Sequence, residues 1–582
     1  MVRHSSSKLA LAAVALAFGL SSCKSLEVIN PNAPERERAF SDPATIVSAA
    51  AGAMKTWINT RFGYDPSLTL SSMSDSYSFS WNNFNSRYYS SYGKDCPNRC
   101  GWVNSTQTGL GFQVQSYWYG MYSALSSAND ALFAIREAAN PPDLGDDAAR
   151  TEVIAQLVQA MTHAFIALNY DQGFIVREDT DPSALELSTR EEIRNKAIEL
   201  YDKAAQLANA STFDTPAAWF GAGPGQSYTN AQVARIARTG QAELLAHFPR
   251  NEAENGQVNW GQVATYASQG ISSGGTPFDF QFYQDENSTF RSQYHWWGND
   301  YTTVRVDTRV ARLISTGQTD PWPGGGGNPQ PVAGGLPVPG VWAPAYDKRL
   351  GDGTYGDEDG QFGLGEKAAT AFAGTDMLWS PVAIFIPGRG TEHQSNIGYH
   401  RFRCTVGGYP ECPSGADYIS MWSKAFNDLL WAEGLLRSNG SKTTAAEKIN
   451  NTRRDRGGLP ALTGTESTTD LLRAMYYEQE LELMPIPATQ YFNRRRVSPS
   501  AVPTPTAGAI PITIWPDTPR HMPIPAKDLQ LLRMEIYTFG GQANPAGQVA
   551  PREVDGQRVK NVREIWAEIE KIQMSNKGKR PH

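Results

Sequence analysis

The chain has 582 residues, with 52 Lys+Arg against 59 Asp+Glu, a formal net charge of −7, only 19% charged residues, 52 Gly, 37 Pro and 11% aromatics. That length allows several domains or one large helical body. The acidic balance argues against nucleic acid as a partner, since no basic tract exists beyond Arg494-Arg495-Arg496 and the tail "NKGKR". Glycine, proline and aromatic side chains in this excess point to long irregular loops on a stable scaffold, and loops are where binding sites tend to sit.

In chain order, Arg3, His4 and Lys8 precede twelve apolar or small residues, Leu9–Leu20. Twelve helical residues span ~18 Å at about 1.5 Å each, too short for a hydrocarbon core of roughly 30 Å, so residues 1–22 read as a signal peptide. Leu20-Ser21-Ser22-Cys23 resembles a bacterial lipobox, which makes Cys23 the lipidation site and residues 23–40 a lipidated, proline-bearing tether. Several acyl chains, at about 0.8 kcal/mol per buried methylene, would be a lasting anchor. Lys24 stands where an aspartate would signal inner-membrane retention, which favours the outer membrane. Without Arg3 and Lys8, the 52 basic residues fall to 50 against 59 acidic ones, a net charge of about −9.

Residues 41–582 read as a single body: a helical block over 41–274, a loop-rich region over 275–415, and closing helical segments over 416–582. Asp42 can cap a helix that Pro43 opens. Residues 64–110 are rich in aromatics, Asn and Ser and read as loop. Further helices are expected over Gln113–Ala139, Ala148–Asp171, Arg190–Ala208, Asn230–His247 and Trp260–Ser272. "PWPGGGGNPQPVAGGLPVPG" (321–340) excludes helix, and Val382–Ile386 is a short strand candidate. Ile419, Trp422, Phe426, Leu429 and Leu430 recur at helical spacing, predicting a helix over Asp417–Arg437. Thr443–Arg456 and Thr468–Met484 complete the set. The fold class is therefore mostly α, with helix pairs like tetratricopeptide units but no clean 34-residue repeat.

Two aromatic clusters are the candidate ligand contacts: "SFSWNNFNSRYYSSY" (78–92), with Trp81, Arg87 and Tyr88, and "SQYHWWGND" (292–300), with Tyr294, Trp296 and Trp297. A ring offers a flat apolar face to a sugar's C–H face while nearby polar groups bond its hydroxyls. The bland alternative is that these rings pin loops to the body. Cys96/Cys100 and Cys404/Cys412 form two local pairs that suit disulfides in an oxidising compartment; neither is C-x-x-C, which speaks against zinc. Asp352, Asp357 and Asp359 in "DKRLGDGTYGDEDG" could hold calcium, but their spacing is not that of an EF-hand, and a solvated acidic turn is the plainer reading; no other cofactor is indicated. "GISSG" places Ser272 in a G-x-S-x-G pattern, yet a helix precedes it where a nucleophile elbow needs a strand. There is no H-E-x-x-H, P-loop or dinucleotide fingerprint, so no catalytic residue is assigned, and an exported hydrolase is the competing class.

Four landmarks together resemble the SusD/RagB family of outer-membrane nutrient-binding lipoproteins. They are the lipobox with "SLEVINPNAP"; "NDLLWAEGLLRSNG" leading into "KINNTRRDRGGLP" (Ala432, Glu433, Asn451, Arg454, Arg456, Gly458); "YYEQELELMPIPATQYFNRRRV"; and "HMPIPAKDLQLL". The third departs from the family pattern at Gln479, at "PIPAT" and at Asn493. The resemblance implies a SusD-like fold and buried structural charges at these positions, with Asp347 pairing Arg349. It also implies an oligosaccharide or peptide ligand, and a SusC-like TonB-dependent barrel transporter over which the protein acts as a lid.

Overall fold

The computed structural model describes residues 40–79, 85–90, 99–221, 225–284, 290–298, 304–314, 347–350, 376–379, 395, 397–399, 401, 417–497, 514, 518–540, 553–554 and 557–558. In chain order come α1 (Pro43–Arg61), α2 (Ser67–Met73), β1 (Tyr77–Phe79), α3 (Ser86–Ser90), α4 (Phe112–Arg136) and α5 (Ala148–Asn169). Then follow β2 (Gln172–Phe174), β3 (Leu187–Thr189), α6 (Arg190–Asn209), α7 (Asn230–His247), α8 (Glu252–Asn255) and α9 (Trp260–Ala267). The middle of the chain contributes β4 (Phe280–Gln284), α10 (Gln293–Gly298), β5 (Val304–Val306), α11 (Thr308–Ile314), β6 (Met377–Trp379) and β7 (Ile397–Tyr399). The chain closes with β8 (Asp417–Trp422), α12 (Lys424–Arg437), α13 (Lys442–Arg453), α14 (Thr468–Glu482), α15 (Thr489–Arg495), α16 (Ala526–Leu531) and the β9 (Glu553–Val554)/β10 (Gln557–Arg558) pair.

Helix starts follow local chemistry. Asp42 accepts from Ala44 N at 3.2 Å ahead of Pro43. Thr189 with Glu192 and Thr229 with Gln232 form reciprocal capping boxes on α6 and α7, each satisfying orphan N–H groups. Each long helix packs on the next: α1 on α4, α4 on α5, α5 on α6, α6 on α7, α7 on α9, and, across the loop-rich region, α9 on α12, α12 on α13 and α13 on α14. α5 is apolar and long enough to cross a membrane by composition, but 94% of its most apolar window is buried in the body, so it is a core helix. Gly434 marks the α9–α12 junction: a Cβ there would stand 2.6 Å from the backbone nitrogen of Ala264, so the two helices approach to a distance only glycine permits.

Two expectations are corrected. Asp417–Arg437 is a strand followed by a helix: β8 pairs antiparallel with β4, and Ser423 caps α12 by accepting from Phe426 N. The spacing of Ile419 and Trp422 suits a helix, yet both are buried in strand conformation. Residues 64–110 are not loop throughout, since they contain α2, β1 and α3; the serines of α2 hid it, because Ser67, Thr69, Ser71 and Ser72 are buried and hydrogen-bonded inside the body. Val382–Ile386 lies outside the described residues.

Buried charge ties the blocks together. Arg496 donates to both oxygens of Glu433 at 2.6 Å, and Arg437 and Gln479 donate to the same carboxylate at 2.8 and 3.2 Å. Asn493 accepts from Arg496 at 2.9 Å. Two of the three departures from the family pattern, Gln479 and Asn493, thus lie inside one buried cluster. The arginines hold the Glu433 carboxyl far below the usual range, overcoming its burial. A second cluster carries the expected Asp347–Arg349 pair (2.6 Å), with Arg349 also on Glu478 (2.7 Å), and Glu482 taking Arg456 and Arg401 at 2.8 Å each.

Candidate binding face

A second apolar cluster, separate from the main core, gathers Leu68, Tyr77, Phe79, Tyr294, Val304 and Val306 among others. β1 and β5 pair antiparallel within it, with Tyr77 opposite Val306 and Phe79 opposite Val304. The chain therefore leaves the ladder towards Trp81 at the very end where it re-enters after Trp297. The strands next to the two aromatic clusters, some 200 residues apart in sequence, are held together by three residue pairs.

The floor beneath them is polar and locked. Asp75, at a left-handed φ of 58°, accepts from Arg99 at 2.5 Å and from Arg309 at 2.9 Å, all three being buried. Paired in this way, the carboxylate is tolerable in the interior, where an isolated one would not be. Burial, with the Asp75 charge nearby, pushes the Asp307 carboxyl up; its Oδ1 accepts from Arg309 N at 2.9 Å. Within α10, His295 stacks on Phe62 and lies 2.6 Å from Ser292 Oγ; burial drives its pKa down to about 3, so it is neutral.

The predicted site residues divide on this floor. Tyr294 is corrected from ligand contact to core: it is 1% exposed, edge-on to Tyr77, and its hydroxyl donates to Met484 O at 2.7 Å. Trp297 is partly buried against the same cluster. Arg87 and Tyr88 are half-buried on α3, with Tyr88 edge-on to the buried Tyr89. Trp296 belongs to α10, but its side chain, like all of Trp81, lies outside the described residues. Cys100 is buried and disulfide-bonded; Cys23, Cys96, Cys404, Cys412, Asp352, Asp357 and Asp359 lie outside the described residues. Among the described residues no group of three or more His, Cys, Asp or Glu side chains is placed to hold a metal ion.

Ser272 is structural. Its hydroxyl donates to Asp428 at 2.6 Å and accepts from Asn427 Nδ2 at 2.7 Å, which pins the end of the α9 segment to α12. The sequence reading missed a polar cleft of about 570 Å³ beside it, lined by Asp279, Lys424, Asp428, Lys448, Arg456 and Glu482 with others. Its charges are largely matched internally, as Lys448–Asp428 at 3.1 Å and Arg456–Glu482 at 2.8 Å show. No local pattern signals it, because its walls come from segments up to 210 residues apart.

No protein-family model matches the sequence, and no curated protein matches it. Solved structures do. A SusD homolog from Bacteroides thetaiotaomicron is 13% identical with a TM-score of 0.51, covering 87% of this chain and 98% of that one. A SusD superfamily protein from Parabacteroides distasonis is 12% identical with a TM-score of 0.51, covering 83% and 97%. One from Bacteroides vulgatus is 13% identical with a TM-score of 0.50, covering 84% and 97%. The chain has the SusD-like fold.

Proposed function

Taking that fold as premise, we propose that the protein is a non-catalytic, cell-surface binding lipoprotein, moored to the outer membrane through Cys23. It captures oligosaccharides, with peptides as the second ligand class, and passes them to a SusC-like TonB-dependent transporter. The observation that supports the reading is that β1 and β5, the strands next to the two aromatic clusters, pair antiparallel beside a floor of paired buried charge. Rings on a rigid base bind with little ordering cost, and a preorganised face is what capture requires. Trp81, Arg87, Tyr88, Trp296 and Trp297 are the contacts on this reading, and Tyr294 is their support.

The test is a panel of neutral oligosaccharides and peptides offered to the full-length protein, with binding and product formation followed together. Binding without turnover supports the proposal. Product formation would establish the competing hydrolase, and absence of binding across the panel would reject ligand capture. Fatty-acid analysis of the native protein checks the Cys23 anchor, and co-purification with a barrel protein checks the partner.

A further inference from the structure

On the helical block, α6, α7, α8 and α9 line an open cavity of about 680 Å³. Its apolar lining includes Ile198, Leu245, Phe248 and Val258, and Tyr266 lines it half-exposed. Arg190 and Arg194 both lie over the Phe248 ring, 4.0 and 4.5 Å from its centroid. They differ in their partners. Arg190 is committed to Glu254 (2.5 Å), Glu191 (3.0 Å) and the Phe248 carbonyl (2.9 Å). Arg194 donates only to the side-chain oxygen of its neighbour Asn195 and, among the described residues, pairs with no carboxylate.

The wall behind Phe248 adds positive charge. Arg495 donates to the carbonyls of His247 and Pro249, and Arg520 to that of Arg250. Of the charged side chains, Arg190, Arg194, Glu191 and Glu254 line the cavity itself, and Arg190 already takes both glutamates. At the mouth, the side chains of Asn195, Gln257 and Asn259 are exposed and Gln262 is half-exposed, offering amide donors and acceptors of the kind that match vicinal hydroxyls.

We propose that this cavity is a second ligand site, independent of the loops, that takes a carboxylate-bearing sugar unit of the uronic-acid type. The carboxylate sits on Arg194, the hydroxyls on the amides, and the sugar face on Tyr266. A carboxylate supplies the missing anion, and the fork of a guanidinium fits it bidentately. The amide rim favours a sugar over an acidic peptide side chain, which has no hydroxyls to place there.

Calorimetric titration of the full-length protein with trigalacturonic acid and with its methyl ester tests this. The acid is expected to bind and the ester to bind about tenfold more weakly or worse, since esterification removes the charge-assisted pair. Arg194→Gln should lower affinity for the acid by about tenfold or more, and Gln257→Ala, a milder change at the exposed rim, by about threefold. Trp81→Ala should leave it unchanged. Equal binding of acid and ester, an unaltered Arg194→Gln variant, or no binding of the acid overturns the proposal. Loss of acid binding in Trp81→Ala overturns it too, by moving the acid to the loops, while leaving the loop-borne reading intact. That reading fails separately, on the neutral panel.

Discussion

The helical block and the loop-bearing region are built on different ranges of interaction. In the helical block the backbone partner of a residue stands four places away, caps such as Thr189–Glu192 span three, and each helix packs on its successor. In the loop-bearing region the decisive contacts leap along the chain: Tyr294 to Met484 spans 190 residues and Arg309 to Asp75 spans 234. The strands of its apolar cluster, β1, β5, β6 and β7, are three residues long, and the cluster is small. A short strand pair is marginal alone, so buried ion pairs and hydroxyls take over the positioning that helical hydrogen bonds perform elsewhere. A face assembled in this way lets loop sequences vary while their attachment points stay put.

Breaking the ties between the blocks should have the largest effect. Glu433→Ala strips the anion from Arg496, Arg437 and Gln479, and a cost of about 3–5 kcal/mol is expected in urea unfolding. Tyr294→Ala, inside the loop floor, should cost about 3–5 kcal/mol by its lost volume, and Tyr294→Phe only about 1 kcal/mol for the hydroxyl. If Tyr294→Ala instead left stability intact and abolished binding, the core assignment would be wrong.

A pH series sharpens the picture at the α2 end of the floor. Burial raises the Asp65 pKa from 3.8 to about 6, and Gln113, which donates to it, only partly opposes this. The folded state therefore holds that proton more tightly than the unfolded one. The Asp65 contribution is most favourable below about pH 4 and is lost as pH rises through 6, a swing of roughly 3 kcal/mol. Asp65→Asn should flatten this segment of the stability–pH curve, measured by chemical unfolding between pH 4 and 7. His163 acts with the opposite sign: burial lowers its pKa to about 4, so its contribution is present above about 6.5 and lost as pH falls towards 4.

The smallest stability changes should come from the rings above the floor. Trp297→Ala, half-buried, should cost about 1–2 kcal/mol and weaken ligand binding. Trp81→Ala should weaken binding with a stability change within about 0.5 kcal/mol, read by thermal unfolding beside a binding isotherm. Equal loss of both properties at Trp81 would make it a plug of the kind Tyr294 is.

Much of the helical block was legible in the sequence. Asp42-Pro43, Thr189 and Thr229 mark helix starts locally, and the apolar period of α5, α6 and α7 needs no distant partner to be read. α2 was not legible, because four of its seven residues are Ser or Thr and their hydroxyls are satisfied by distant groups such as Gln113 and Tyr294. The aromatic clusters were visible as candidates, yet nothing local separated Tyr294, a support, from Trp297, its half-exposed neighbour three residues on.

By itself the chain's order of residues determined a mostly helical body, where its helices begin, and the residue types on offer for binding, since capping and amphipathic period act over three to seven residues. Only the tertiary structure decided which rings are buried, that residues 417–422 pair as a strand with β4, and that β1 pairs with β5. Those outcomes depend on contacts between segments more than a hundred residues apart, whose energies no local window of sequence contains.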